Sequence, residues 1–162
     1  ADDIIATLCS ESSDEVMILS GDKDFIQLQK FPNVKQYSPI TKKMINGFNP
    51  DDYLKEHVLK GDTSDGVPNV LSPDNSFVDG IRQKPLSKKK IAAMIDGNFP
   101  NDEIKRNFQR NKTLIDLGCV PDELRTEILV TYKDAPENSR SKLLNYFIKQ
   151  RLKTLTESIG EF

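Results

Sequence analysis

The chain has 162 residues, of which 36% are apolar and 30% charged, with a net charge of −2. That length suits one domain, or a small domain plus part of another. No apolar run approaches the roughly 20 residues of a membrane-spanning helix, and the first residues lack a basic-then-apolar signal pattern.

Cys9 and Cys119 stand far apart and match no metal-knuckle or redox spacing, so buried, inert thiols are expected. His57 sits in a polar helical pattern and is expected at the surface. One histidine without a cysteine pair argues against a zinc site. A metal here would be a hard ion held by oxygen. The charge is uneven: residues 1–70 carry 7 Lys and 12 acids, whereas residues 71–162 carry 16 Lys or Arg and 13 acids. An acidic half beside a basic half suits a metal site next to a groove for a polyanion.

Ile4, Ile5, Leu8 and Cys9 recur at helical spacing, so residues 2–10 are expected to form a helix. It begins without a methionine or a cap, as a cut through an element would. "VMIL" at 16–19 predicts a strand buried on both faces. "DFIQLQ" at 24–29 predicts a short helix, "NVKQYS" at 33–38 a second strand and "KKMIN" at 42–46 a third, closed by the turn Asn46-Gly47. A helix follows, capped by Asn49, opened by Pro50 and ended by Gly61. Residues 61–86, rich in Gly, Pro, Ser and Asp, predict a long loop or tight turns. Helices are then expected from Ser87 to Ile95, over 101–117 with Ile104, Phe108, Leu114 and Leu117, from Pro121 with Leu124, Ile128 and Tyr132, and from a Ser139 cap through Leu143, Leu144 and Phe147. The pattern is an α/β sheet layer followed by a small helical domain.

Functional groups in open α/β sheets gather beyond the carboxyl ends of the strands. Asp22 and Asp24 follow "VMIL" by a few residues and could share an ion, although capping the next helix explains them too. Asp62 and Asp65 lie between Gly61 and Gly66, which let the backbone turn sharply. An Asx turn is the plain reading there, and EF-hand spacing is not met. Asp2 and Asp3 suit a helix N-terminus for its dipole alone. Together the clusters point further, because packed carboxylates repel and a divalent ion offsets that.

"ADDIIATL", "SGDKDFIQL" and "LKGDTSDGVPNV", in this order, resemble the three C-terminal metal motifs of the 5′-nuclease superfamily. That group includes flap endonucleases and the 5′-nuclease domain of bacterial DNA polymerase I. "FPNVKQYSP", "LIDLGCVPDEL" and "NYFIKQRLKTLTESIGEF" resemble its T-even phage ribonuclease H subfamily, 5′-nucleases that remove RNA primers. The resemblance implies residues 1–60 as the C-terminal part of a PIN-like α/β nuclease domain with a partial parallel sheet. Residues 61–162 would be a helical duplex-binding domain with a helix–turns–helix element. It implies Asp3, Asp22 and Asp24 as catalytic metal ligands and Asp62 and Asp65 at a second metal position. Asp2 stands where the subfamily and the polymerase-type enzymes differ. Two Mg²⁺ ions are the implied cofactors, with Mn²⁺ as an alternative.

"GIRQKPLSKKKIAAMIDG" holds Arg82, Lys84, Lys88, Lys89 and Lys90. Cations at a helix N-terminus oppose the dipole, so phosphate contacts are the expectation beside that of a solvated face. The superfamily's Gly-x-Gly-Pro-Lys hairpin is replaced here by "VLSPDNSFVDGIRQKPLSKKK", which shifts weight to the lysines. The implied partners are DNA duplexes and RNA·DNA hybrids with 5′ ends or flaps, and phage replication proteins, in the host cytoplasm and away from membranes. A complete enzyme would add a strand, further acids and a clamp, so this chain alone is expected to be inactive. A catalytically silent duplex-binding module is the alternative. A phosphoacceptor domain using Asp22 is a more distant one.

Overall fold

The computed structural model describes residues 1–134 and 140–161. Two compact units are present, Ala1–Leu129 and Val130–Phe162.

The first unit opens with α1 (Asp2–Glu11), which buries Ala6, Thr7 and Cys9. Then come β1 (Val16–Leu19), a 3₁₀ helix (Lys23–Lys30), β2 (Val34–Ser38) and β3 (Lys43–Ile45). β1 runs parallel to β2, with Val16 opposite Val34. A parallel pair needs a crossover, and the 3₁₀ helix lies on it. Residues 39–42 are too few for another, so β3 returns antiparallel, with Ser38 opposite Lys43. The sheet is therefore mixed: β1 and β2 form a parallel pair, as the resemblance implies, and β3 departs from it.

Ala6 and Cys9 of α1, Phe25 and Leu28 of the 3₁₀ helix, and Ile18 and Val34 of the sheet form one core. β1 is an edge strand. Its side chains alternate between faces, so Ile18 is buried while Met17 and Leu19 are 46% and 70% exposed. Within this chain the strand is covered on one face rather than both.

α2 (Pro50–Lys60) starts as its sequence predicts. Asn49 Oδ1 accepts the amides of Asp51 and Asp52 at 3.1 Å each, and Gly61 ends the helix at φ +69°. Residues 61–86 then fold without a named helix or strand. The Val67 amide donates to the Asp62 carbonyl at 2.7 Å and the Val70 amide to that of Leu59 at 3.1 Å. Asn69 ties the two ends of the segment together. Its amide donates to Gln83 Oε1 at 2.7 Å and its Nδ2 to the Lys84 carbonyl at 2.9 Å. The Lys84 amide donates in turn to Ser72 Oγ at 3.0 Å.

α3 (Lys88–Met94) buries Ile91 and Met94 against Leu59 and Val70. α4 (Asp102–Ile115) departs from its periodicity. Asn107, Asn111 and Ile115 are its buried residues, whereas Leu114 is 63% exposed. The cause is the turn segment beneath it, whose buried carbonyls need donors. Asn107 Nδ2 donates to the Val70 carbonyl at 3.0 Å, and Asn111 Nδ2 to those of Val58 and Pro68 at 2.9 Å each. α5 (Asp122–Lys133) buries Ile128 but leaves Leu124 and Tyr132 exposed.

The second unit contains α6 (Arg140–Lys149) and α7 (Lys153–Glu157). Phe147 is buried and Leu143 and Leu144 are half-buried; Ser139 lies outside the described residues. Among the described residues no helix is long and apolar enough to cross a membrane.

Candidate metal centre and basic face

The loop after β1 is fixed from beneath by a fully buried glutamine on β2. Gln36 Nε2 donates to the carbonyls of Ser20 and Asp22 at 3.0 and 2.5 Å. Asp22 then caps the 3₁₀ helix, its Oδ1 accepting the Asp24 amide at 3.0 Å. The capping expected of this pair is real, and it aims Asp24 toward α2.

There Asp24 meets His57. Asp24 Oδ1 lies 3.4 Å from His57 Nδ1, and Asp62 Oδ2 lies 3.1 Å from His57 Nε2. The imidazole is 14% exposed, between two carboxylates. One ligand-capable atom from each of Asp24, His57 and Asp62 falls within 4.8 Å of the others. His57 thus stands inside the acidic cluster, not on an open surface as expected. The approach of Asp24 to Nδ1 is within ion-pair range yet falls short of hydrogen-bond geometry, so Nδ1 is a buried atom without a hydrogen-bond partner. Tyr53, one turn earlier on α2, stands edge-on to the imidazole at 5.9 Å.

The Asx turn expected at Asp62 is also present. Asp62 Oδ1 accepts the Ser64 amide at 2.8 Å, the Ser64 hydroxyl at 2.5 Å and the Asp65 amide at 3.3 Å. Gly61 permits this turn: a Cβ there would stand 2.4 Å from the Val67 carbonyl oxygen.

Electrostatics join the pieces. Burial raises the Asp24 carboxyl above the usual range, His57 partly offsets that, and the charges of Asp22, Asp62 and Asp65 raise it again. The Tyr53 phenol is raised by burial first and then by Asp24, Asp22 and Asp62. The Ser64 hydroxyl, the largest influence, draws Asp62 below the usual range; burial opposes this and the turn amides assist. The fold therefore brings Asp24 and Asp62 to His57, and the charges of Asp22 and Asp65 are felt at Asp24. Asp2 and Asp3 stand exposed in the first turn of α1. Among the described residues no hydrogen bond or ion pair ties them to the cluster.

A half-buried Asp24 carboxyl raised by burial and by neighbouring acids, beside a buried imidazole nitrogen that makes no hydrogen bond, is a donor set that a divalent cation fits. Sequence reasoning missed His57 and Tyr53. The available signal was their i, i+4 spacing in the turns leading to Gly61-Asp62, which puts both on the face that meets the acidic loop.

Arg82, Lys84, Lys88, Lys89 and Lys90 are all exposed, and among the described residues none pairs with an acid. Arg106 and Arg110, by contrast, both bind Asp74. No acid lies in the first turn of α3 to balance Lys88–Lys90. Arg82 and Lys84 line, with Lys60 and Asn69, an open cavity of about 760 Å³.

Residues 49–162 match the family model described as "T4 RNase H, C terminal". The chain is 35% identical over 177 residues to the ribonuclease H of Enterobacteria phage T4, a match covering 100% of this chain and 57% of that protein. It is 25% identical over 179 residues to the DNA polymerase I of Bacillus subtilis (strain 168), covering 99% of this chain and 20% of the polymerase. A match to the DNA polymerase I of Bacillus caldotenax is 23% identical over 128 residues, 70% of this chain and 14% of that protein. The chain thus spans little more than half the length of the phage ribonuclease H.

Proposed function

Because this chain belongs to the T4 RNase H C-terminal family of 5′-nucleases, we propose that it is part of a metal-dependent 5′→3′ nuclease. The substrates are RNA·DNA and DNA duplexes with 5′ ends or flaps, and the role is removal of RNA primers during phage DNA replication in the host cytoplasm. One observation carries this reading: Asp24 and Asp62, from two separate segments, meet at His57, and the charges of Asp22 and Asp65 act on Asp24.

In this reading Asp22, Asp24, Asp62 and Asp65, with Asp3, hold two divalent ions, Mg²⁺ with Mn²⁺ as an alternative. The bound ions supply activation of water and stabilisation of charge on the attacked phosphate. The chain's own residues do the positioning. Gln36 fixes the loop that presents Asp22 and Asp24, and the Gly61 turn presents Asp62 and Asp65. The Ser64 hydroxyl and the turn amides hold Asp62 ionised, ready to attract a cation.

Residues 1–60 belong to the nuclease layer and residues 61–162 bind the duplex, with the helix–turns–helix element in the segment after the last acidic motif. This division is one of role, since the segments on either side of residue 60 share a core through Leu59, Val70 and Ile91. Lys88, Lys89, Lys90, Arg82 and Lys84 contact backbone phosphates, which gives affinity without sequence preference. Phage replication proteins are the expected partners.

The test is Asp24→Asn in the full-length protein. Cleavage of a 5′-flapped duplex with Mg²⁺ is expected to be lost while duplex binding, followed by fluorescence anisotropy, persists. Cleavage near the wild-type rate overturns the assignment.

A further inference from the structure

We propose that Lys60 binds a backbone phosphate between the acidic cluster and the basic cavity, and that Glu56 holds the ammonium until nucleic acid arrives. The inference rests on the nuclease reading above and deepens it, by naming a residue that positions the strand.

Tyr53, Glu56, His57 and Lys60 follow one another at i, i+3, i+4 and i+7, so they share one face of α2. The four line a small cavity of about 110 Å³, and its imidazole reaches Asp24 and Asp62. Lys60 also lines the cavity of about 760 Å³ that holds Arg82 and Lys84, a lining with three cations and no acid. It is the residue that these two linings share. A strand with one phosphate at the acidic cluster and others in the basic cavity therefore passes Lys60.

The backbone there is firmly held. Leu59 is fully buried and its carbonyl accepts the Val70 amide at 3.1 Å, while the Gly61 amide donates to the His57 carbonyl at 2.8 Å. The side chain is free to work from that base. It is 54% exposed, and its ammonium meets Glu56 Oε1 at 2.5 Å. An exposed i, i+4 pair of this kind is weak, and an ammonium has three donors. A phosphate can thus join the carboxylate or displace it. Lysine in the last turn of a helix also suits the dipole, but that role would leave nucleic-acid affinity untouched. Glu56 repels an incoming strand, so its removal should tighten binding, whereas removal of Lys60 should weaken it. A pair that only steadied the helix would respond to both changes by loss of stability alone.

The test is binding of the full-length protein to the 5′-flapped duplex without divalent ions, followed by fluorescence anisotropy over a range of salt. Lys60→Gln should weaken binding about three- to tenfold and flatten the slope of log affinity against log salt by about 0.9. Lys60→Arg should restore both. Glu56→Gln should tighten binding about two- to fivefold. Lys55→Gln is the control, because it removes the same charge from an exposed position on α2 that lines a different cavity, with Asp51. Its slope should match the wild type. An unchanged slope in Lys60→Gln, equal flattening in Lys55→Gln, or weaker binding in Glu56→Gln overturns the inference. The proposed function is judged separately, by cleavage in Asp24→Asn, and survives the loss of Lys60 from this role.

Discussion

Replacing Gly61 with alanine puts the turn that presents Asp62 to a quantitative test. The residue has φ +69° and ψ −178°, a region essentially reserved for glycine that costs another residue about 1–3 kcal/mol. The new Cβ would also stand 2.4 Å from the Val67 carbonyl oxygen and 2.6 Å from the Pro68 carbonyl carbon, so backbone must move. The Val67 amide bond to Asp62 and the Asn111 bond to Pro68 lie in its path, each worth about 1 kcal/mol. The sum is about 3–5 kcal/mol. Gly66 is the control: its φ is +74°, yet nothing lies within 4 Å of its would-be Cβ, so Gly66→Ala should cost only about 1–2 kcal/mol. Urea titrations followed by far-UV circular dichroism would compare the two at a common slope. At about 2–4 °C per kcal/mol for a chain of this size, Gly61→Ala should melt roughly 4–12 °C below the control. If the two variants agree within about 1 kcal/mol, the close approach of Val67 does not constrain this turn.

Asn111→Ala takes the buried side-chain donor from the Val58 carbonyl, while that of Pro68 keeps Arg110 Nη2 at 3.0 Å, and should destabilise by about 1–3 kcal/mol; a smaller loss in the same titration would mean that water replaces the amide. Changing Lys88, Lys89 and Lys90 together to glutamine should weaken duplex binding for every sequence alike. It should flatten the salt dependence of log affinity by up to about 3, and an unchanged slope would leave the lysines a solvated face. Asp62 has a folded pKa below its unfolded one, so it stabilises the chain above the ordinary carboxylate range, and that contribution disappears as pH falls through the folded value. Ser64→Ala removes the largest cause of the depression, so the loss should begin at higher pH. Carbon-13 titration of the Asp62 carboxyl reads this directly, and an unmoved midpoint would rule out the hydroxyl as the cause.

Much of this was legible beforehand because local chemistry decides it. Asn49, Pro50 and Gly61 bound α2 through capping and backbone geometry alone, and "VMIL" and "NVKQYS" declare themselves as strands. What periodicity could not supply was the environment each face would meet. Asn107 and Asn111 look like surface positions until a segment rich in unpaired carbonyls lies against them, and Leu114 loses its expected burial for the same reason. Met17 and Leu19 read as core, yet an edge strand covered on one side leaves them outside. In the acidic cluster the aspartates were found as pairs in sequence, each with an ordinary explanation in capping or an Asx turn. His57 escaped notice because its meaning comes from two carboxylates, 33 residues before it and 5 after it in the numbering, that only folding brings to its ring.

The clasp between Asn69, Ser72, the Gln83 side chain and the Lys84 backbone has a thermodynamic consequence for the exposed cations it supports. A segment of this composition would ordinarily be a fluctuating tether, and fixing a tether upon docking costs about 1–2 kcal/mol for each backbone residue stilled. Here the freedom of the chain leading to Lys84 is surrendered during folding itself, through partly buried bonds to Asn69 and Ser72. A polyanion settling on Arg82 and Lys84 would meet charges already held at fixed spacing. What remained to be lost would be side-chain torsions and not backbone. Such preorganisation favours slow departure over any change in the rate of encounter.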